Sequence, residues 1–250
     1  MNLLKEVSKY PVFNIGMVER LTGNLKTAYS AMNRYIKKGY VIKVRKNIYS
    51  PVDLSTGLLL ANRYQIACAL REDAYLSHHS ALEYHGLSNQ VFNDVYVSSK
   101  SRFNHFEFQG VLYKYVAPKI NVGIIFATNT DNIRLTDIER TIIDSIYQMN
   151  KITGYEELSN AIEALHHLDE EKLFVYLKAY DIQSLYQKSG YILEKYHDKF
   201  GLTNHFFEMC KSKIKQGIVY LVDDSSGSKF NNTWQVMEPA PRDYGGDEIV

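Results

Sequence analysis

The chain has 250 residues, 45% of them hydrophobic and 23% charged, a length and composition that can bury real cores without a metal or disulfide staple. Its two cysteines, Cys68 and Cys210, are far apart and form no CxxC pair, which excludes a zinc finger and a secreted disulfide framework. Net charge is only +1, no run approaches the roughly 18 to 20 apolar residues of a membrane span, and the first ten residues carry Lys5, Glu6 and Lys9 where a signal peptide would be apolar, so a cytoplasmic protein with no membrane partner is expected.

The near-neutral total hides an asymmetry. Residues 1–52 hold ten Lys or Arg against Glu6 and Glu19, a balance of +8, which leaves −7 for the other 198 residues. Between residues 21 and 52 lie Lys26, Arg34, Lys37, Lys38, Lys43, Arg45 and Lys46 with no acidic residue among them. Such a segment is an electrostatic footprint for a polyanion, or else a solvated basic face. Its placement on secondary structure favours the first.

Leu3, Leu4 and Val7 recur at helical spacing in a short first helix that Pro11 stops. Asn14 can cap a second helix with Ile15, Val18 and Leu21 as its apolar positions, ending at Thr22-Gly23-Asn24. A third helix over 25–38 places Leu25, Ala28, Tyr29, Met32 and Ile36 on an inward stripe and Lys26, Ser30, Asn33 and Lys37, flanked by Thr27 and Arg34, on a polar face. From a major groove these side chains can reach base edges and phosphates, with Asn suited to adenine and Arg or Lys to guanine or phosphate. Gly39 ends the helix, and 40–49 reads as a two-stranded ribbon with Ile42, Val44 and Ile48 inward, Lys43 and Arg45 outward, and Lys46-Asn47 at the turn. The pattern is a winged helix-turn-helix. Its expected DNA-binding residues are Lys26, Thr27, Ser30, Asn33, Arg34, Lys37, Lys38, Lys43, Arg45 and Lys46.

A linker is expected over 53–62, then a larger mixed α/β domain over 63–238 with a helical C-terminal part, and a disordered tail over 239–250. The class is α+β. After a helix near 63–71, Ser77 or Ser80 can cap a short helix that Gly86 ends, with Leu87 folding back. His78, His79 and His85 invite a metal reading, and His79 and Glu83 share a face at i, i+4, but His78 is turned about 100° away and no other ligand pair stands nearby, so packing or capping histidines and no metal are expected. Strands are expected at 94–98, 106–108, 111–116 and 122–127, with Gly110 at a hairpin. Asp94 and Glu107 outline a nuclease carboxylate pair, yet Gln109 stands where a lysine belongs.

Thr136-Asp137-Ile138-Glu139 reads as a capping box before a helix with Ile142, Ile143 and Ile146 inward and an Arg140–Asp144 pair at i, i+4. Thr153 with Glu156 and Asp169 mark two more helix starts, Leu168 can staple onto Leu173, breaks are expected near Gly190 and Gly201, and the last strands fall at 217–223 and 233–237. No P-loop, nucleophile elbow, dinucleotide turn or repeat occurs, so no cofactor and no enzyme are expected.

The order of a winged helix, Tyr75-Leu76-Ser77-His78-His79-Ser80-Ala81-Leu82, the strand Asp94-Val95-Tyr96-Val97, and Arg134-Leu135-Thr136-Asp137-Ile138-Glu139-Arg140-Thr141-Ile142-Ile143-Asp144 resembles the AbiEi antitoxins of type IV toxin-antitoxin (abortive infection) systems. The resemblance continues through Ser189-Gly190-Tyr191-Ile192-Leu193-Glu194 to the sole tryptophan, Trp234. It implies a repressor of its own operon that binds a double-stranded operator, with inverted repeats expected, and a larger domain that counteracts a nucleotidyltransferase toxin without a stable complex. The wing departs from the pattern, with Asn47 after Lys46 where a glycine is expected. Two rival readings are a nuclease-like enzyme guided by the winged helix and a plain ligand-responsive regulator.

Overall fold

A computed structural model describes residues 2–128, 132–222 and 228–238. The expected tail over 239–250 lies outside the described residues. The chain is mixed α+β and divides into two compact units, residues 1–81 with 90–137 and residues 82–89 with 138–250. The division falls near residue 137, and the expected linker lies inside the first unit. Residues 51–60 are tied down there: Val52 bridges Leu59, Asp53 accepts from Ser55 and Thr56, and Leu60 N–H donates to Pro51.

The first unit opens with α1 (Leu3–Val7), β1 (Phe13–Asn14), α2 (Ile15–Thr22) and α3 (Leu25–Lys37). Local chemistry sets these limits. Asn14 Oδ1 accepts Met17 N–H at 2.9 Å to start α2, Gly23 ends it at φ 73°, and Asn24 Oδ1 takes the N–H groups of Lys26 and Thr27 to start α3. At the far end Tyr40 N–H reaches Tyr35 O and Gly39 N–H reaches Ile36 O, the paired bonds of a Schellman stop with Gly39 at φ 72°. β2 (Val41–Arg45) and β3 (Ile48–Pro51) form a hairpin, and β1 pairs with the other side of β3. Val7, Phe13, Ile15, Val18, Ala28, Met32, Val41 and Tyr49 make one core beneath them.

The rest of this unit is a six-stranded mixed sheet. α4 (Arg63–Ala69) starts on a capping box of Asn62 and Gln65 and leads to β4 (Tyr75–Leu76), α5 (His79–Tyr84), β5 (Asp94–Ser98), β6 (Phe106–Phe108), β7 (Val111–Val116), β8 (Ile124–Phe126) and β9 (Arg134–Thr136). The strand order is β6-β7-β5-β4-β9-β8. Gln109 and Gly110, both at positive φ, make the tight turn between β6 and β7. Ser80, considered as a helix cap, instead accepts Tyr96 N–H from β5 at 2.8 Å, while Gly86 and Leu87 close α5 as expected.

The second unit is mainly helical: α6 (Ile138–Tyr147), a 3-10 turn Met149–Lys151, α7 (Tyr155–Ala164), α8 (Glu170–Tyr180), α9 (Gln183–Glu194), α10 (His197–Phe200) and α11 (Asn204–Ser212). A small sheet of β10 (Val219–Tyr220), β11 (Lys229–Asn231) and β12 (Val236–Glu238) follows. Asp169 caps α8 and Leu168 and Leu173 are both buried, in line with the expected staple. Two expectations fail. Thr153 does not cap α7: it sits at φ 67°, its hydroxyl donates to Ile152 O, and Gly154 at φ 105° begins the helix. Gly190 does not break α9, which runs through it. An added Cβ there would lie 2.0 Å from Trp234 Cζ3, so glycine is present to seat the indole, whose Nε1 donates to Glu194 at 2.6 Å.

Both cysteines are buried, and burial pushes the thiol of Cys68 up to about 11 and that of Cys210 up to about 12. The thiolate is the reactive form, so a thiol reagent at pH 8 is expected to leave both unmodified until the protein is unfolded. Rapid labelling of either in native buffer would contradict this burial. Among the described residues no helix is long and apolar enough to cross a membrane.

Candidate nucleic-acid interface

The two faces of α3 differ in kind. Ala28, Ala31, Met32 and Tyr35 are buried, a set at i, i+3, i+4 and i+7, while Lys26, Thr27, Ser30, Asn33, Arg34, Lys37 and the capping Lys38 are all exposed. The inward stripe is turned from the one expected: Leu25 is 42% exposed and Tyr29 and Ile36 are half-buried, their places in the core taken by Ala31 and Tyr35. The rotation keeps both Asn33 and Arg34 on the outer face. Ser30, Asn33, Arg34, Lys37 and Lys38 line one shallow depression, and no carboxylate is among them.

Two contacts fix this helix against its neighbours. Tyr29 donates its hydroxyl proton to Asn47 Oδ1 at 2.8 Å, and Asn47 O accepts Ile15 N–H at 3.0 Å from the start of α2. Asn47 holds φ 66°, the left-handed geometry expected of the turn residue, and asparagine tolerates it where most residues would be strained. Tyr29 and Asn47 are therefore positioning residues that orient α3 and the hairpin together. A tyrosine at the edge of an apolar stripe, rather than at its centre, is the signal in the sequence for such a role.

The hairpin departs from simple alternation. A bulge between Lys43 and Arg45 leaves Lys43 opposite Tyr49 but Arg45 opposite Ile48, so these two cations no longer share one face. Lys43 and Lys46 are exposed. Arg45 is half-buried, with its guanidinium 4.5 Å from the Phe106 ring and 5.8 Å from the Phe103 ring and with Nη1 buried and unpaired. Burial, and then the charge of Arg71, lowers its pKa from the ordinary arginine value. Its outward orientation is thus corrected to a packing one against the sheet. Ile42, expected inward, is half-buried, and Val44 and Ile48 are buried as expected.

The other groups singled out in the sequence are placed differently. His78 and His79 are buried, His78 beside the Ser77 hydroxyl at 3.0 Å and His79 edge-on to Phe92, and among the described residues no cluster of three potential metal ligands occurs. Asp94 is paired with Lys114 at 2.5 Å. Glu107 is exposed, and Asp94 and Glu107 both oppose Leu112 from either side of β7, which separates them by two strand spacings, about 10 Å.

No protein-family model matches the chain, and no curated protein sequence matches it. Among solved structures, it is similar to the RV2827C protein from Mycobacterium tuberculosis, with a TM-score of 0.64 and 14% identity over 95% of this chain and 90% of that one. At that identity the likeness is one of fold.

Proposed function

We propose that this protein is a DNA-binding transcriptional repressor and the antitoxin of a type IV toxin-antitoxin system, whose N-terminal winged helix-turn-helix reads a double-stranded operator of inverted repeats and which counteracts a nucleotidyltransferase toxin without a stable complex. The observation that carries the DNA-binding part is the exposed, carboxylate-free face of α3, on a helix anchored by four buried side chains and followed by a short hairpin with two exposed lysines. The antitoxin part rests on the sequence resemblance. The residues of that resemblance are mostly interior ones: Ser77, His78, Arg140, Asp144, Ser189 and Trp234 are buried. They support a shared fold more directly than a shared surface. The nuclease reading loses support from the Asp94–Lys114 pair.

Asn33 and Lys26 give the discriminating test. Asn33 is exposed on the outer face of α3, opposite the four buried side chains that anchor the helix, so Asn33→Ala is expected to leave stability unchanged. It should cost about 1–3 kcal/mol on operator DNA and much less on a scrambled duplex, if the amide makes a bidentate base contact. Lys26, in the first turn of the helix, is expected to meet phosphate, so Lys26→Ala should weaken both duplexes alike. Titrations of both variants at one fixed salt concentration check this. Equal losses on the two duplexes for Asn33→Ala would show that it does not read sequence. The antitoxin part predicts a nucleotidyltransferase toxin gene adjacent to this one; co-expression with that toxin is expected to restore growth, and continued growth arrest, or the lack of such a gene, would overturn that half.

A further inference from the structure

The loop between β5 and β6, Ser99-Lys100-Ser101-Arg102-Phe103-Asn104-His105, is exposed at every position except Ser99 and Phe103. Its backbone is nevertheless fastened. Lys100 N–H donates to Asp73 Oδ2 at 2.7 Å, Arg71 Nη2 donates to Arg102 O at 3.1 Å, the Ser99 hydroxyl donates to Ser101 O at 2.8 Å, and the Tyr115 hydroxyl donates to Ser99 O at 3.2 Å. The buried Phe103 ring meets the Tyr115 ring edge-on and pins the centre of the loop. Lys100 and Arg102 thus reach into solvent from a fixed backbone, which reduces the ordering cost of any contact they make.

The β2–β3 hairpin meets this loop. Arg45 stands one position before the turn residues Lys46 and Asn47, and its guanidinium lies against Phe103 within the loop and Phe106 just after it. Arg71 Cζ lies 6.0 Å from the same Phe103 ring, and its charge is what, after burial, lowers the pKa of Arg45. Two guanidinium groups share one ring, and neither forms an ion pair among the described residues, so the positive potential here is one that an anion relieves. The carboxylates nearby are turned elsewhere. Glu107 and Asp94 both oppose Leu112, and strand alternation puts them on the face of the sheet away from Phe106 and Tyr113. Glu72 lines a cleft with Lys9, Tyr10 and Arg134, and Asp73 is engaged by Lys100 N–H.

We infer that this loop is a second DNA-contacting surface, on which Lys100 and Arg102 hold the phosphate backbone of the duplex next to the stretch met by the hairpin. The inference rests on the reading of α3 and the hairpin as a DNA-binding element and lengthens that element's footprint. Cations lie on both sides of the Arg45 contact, Lys43 and Lys46 on the hairpin and Lys100 and Arg102 on the loop, all four exposed. The contact ties the two elements together, so they present these charges as one surface. Duplex DNA fits such a spread, because it offers one negative charge per about 1.7 Å of its axis. Contacts to phosphate carry no base identity, so the loop adds affinity for any sequence.

Fluorescence anisotropy of the full chain on operator and scrambled duplexes, across a salt series, tests this. Lys100→Ala with Arg102→Ala is expected to lower affinity for both duplexes alike, by roughly tenfold near 0.15 M salt, and to reduce the slope of log affinity against log salt by about 1.8, with an unchanged far-UV spectrum. Lys100→Arg with Arg102→Lys keeps both charges and should keep the wild-type slope. Lys178→Ala with Lys215→Ala makes the same change of net charge at two exposed positions of the second unit and should leave the slope as it is. An alanine loop variant that binds like wild type, a charge-keeping variant that loses as much as the alanine one, or an equal loss for the second-unit pair would each overturn the inference. Replacing Arg34, Lys37 and Lys38 by alanine in parallel separates it from the reading it rests on. If that variant loses affinity and the loop variant does not, α3 meets DNA and the loop does not, whereas a wild-type protein that binds neither duplex overturns both.

Discussion

Asp144→Ala is expected to cost about 3–5 kcal/mol of stability, the largest single effect on the fold that the structure foresees. Asp144 and Arg140 are 2% and 1% exposed and meet at 2.6 Å one helical turn apart on α6. The same carboxylate oxygen accepts the hydroxyl of Tyr180 from α8, and the guanidinium lies 5.7 Å from that tyrosine's ring. Removing the carboxylate takes away the acceptor that a buried guanidinium and a buried hydroxyl share, and the cost comes from the loss of that shared buried acceptor more than from the lost attraction. Burial of Tyr180, with the Asp144 charge second, pushes the pKa of its hydroxyl well above the ordinary tyrosine range, so it remains a donor to Asp144 where exposed tyrosines ionise. The complementary variant separates pair strength from stranded charge. Arg140→Met, Asp144→Leu and Tyr180→Phe together remove all three polar groups and should cost less than Asp144→Ala alone. Urea melts with unchanged m-values check both, and a loss below about 1 kcal/mol for Asp144→Ala would refute the account.

Much of this fold is legible where one residue decides the local chain. The caps at Asn14 and Asp169, the left-handed stops at Gly23, Gly39 and Gly86, and the turn residue Asn47 need only their own neighbours to be read. β5, β6 and β7 match their expected spans because each carries its own apolar pattern between turn residues. β1, β4 and β9 have two or three residues each and pair with strands distant in sequence, β1 with β3 and β4 with β9, so no local pattern announces them. Gly190 is misread for the same reason: a glycine in a helical pattern suggests a break, and only the arrival of Trp234 from 44 positions on gives it a place inside α9.

The candidate recognition face is a similar mixture. Alternation of polar and apolar positions identifies the outer residues of α3 correctly even though it misplaces the inner stripe, because the seven polar residues tolerate a rotation that the apolar ones do not. Arg45 is the residue that alternation cannot place. A bulge is invisible to a period-two reading, and the aromatic surface that receives the guanidinium, Phe103 and Phe106, lies some sixty residues away. The consequence for binding is specific: of the hairpin's cations, Lys43 and Lys46 remain exposed, and most of the positive charge that DNA could meet resides on α3.

That concentration of charge sets the largest functional effect expected. Arg34→Ala, Lys37→Ala and Lys38→Ala combined should reduce affinity for any duplex by roughly a hundredfold near 0.15 M salt. All three side chains are exposed, line the same depression as Asn33, and form no ion pair among the described residues. If each neutralises one phosphate, the slope of log affinity against log salt should fall by about 0.9 per residue, or roughly 2.7 in all, and the affinity loss should shrink as salt rises. The fold should be unaffected, since Ala28, Ala31, Met32 and Tyr35, which hold the helix in place, are untouched. Operator and scrambled duplex should lose affinity by similar factors, in contrast to Asn33→Ala, because phosphates carry no base identity. Fluorescence anisotropy across a salt series on both duplexes distinguishes the cases. An unchanged slope with unchanged affinity would show that DNA does not lie along this face, whereas a loss confined to the operator would assign these cations to bases instead of phosphates.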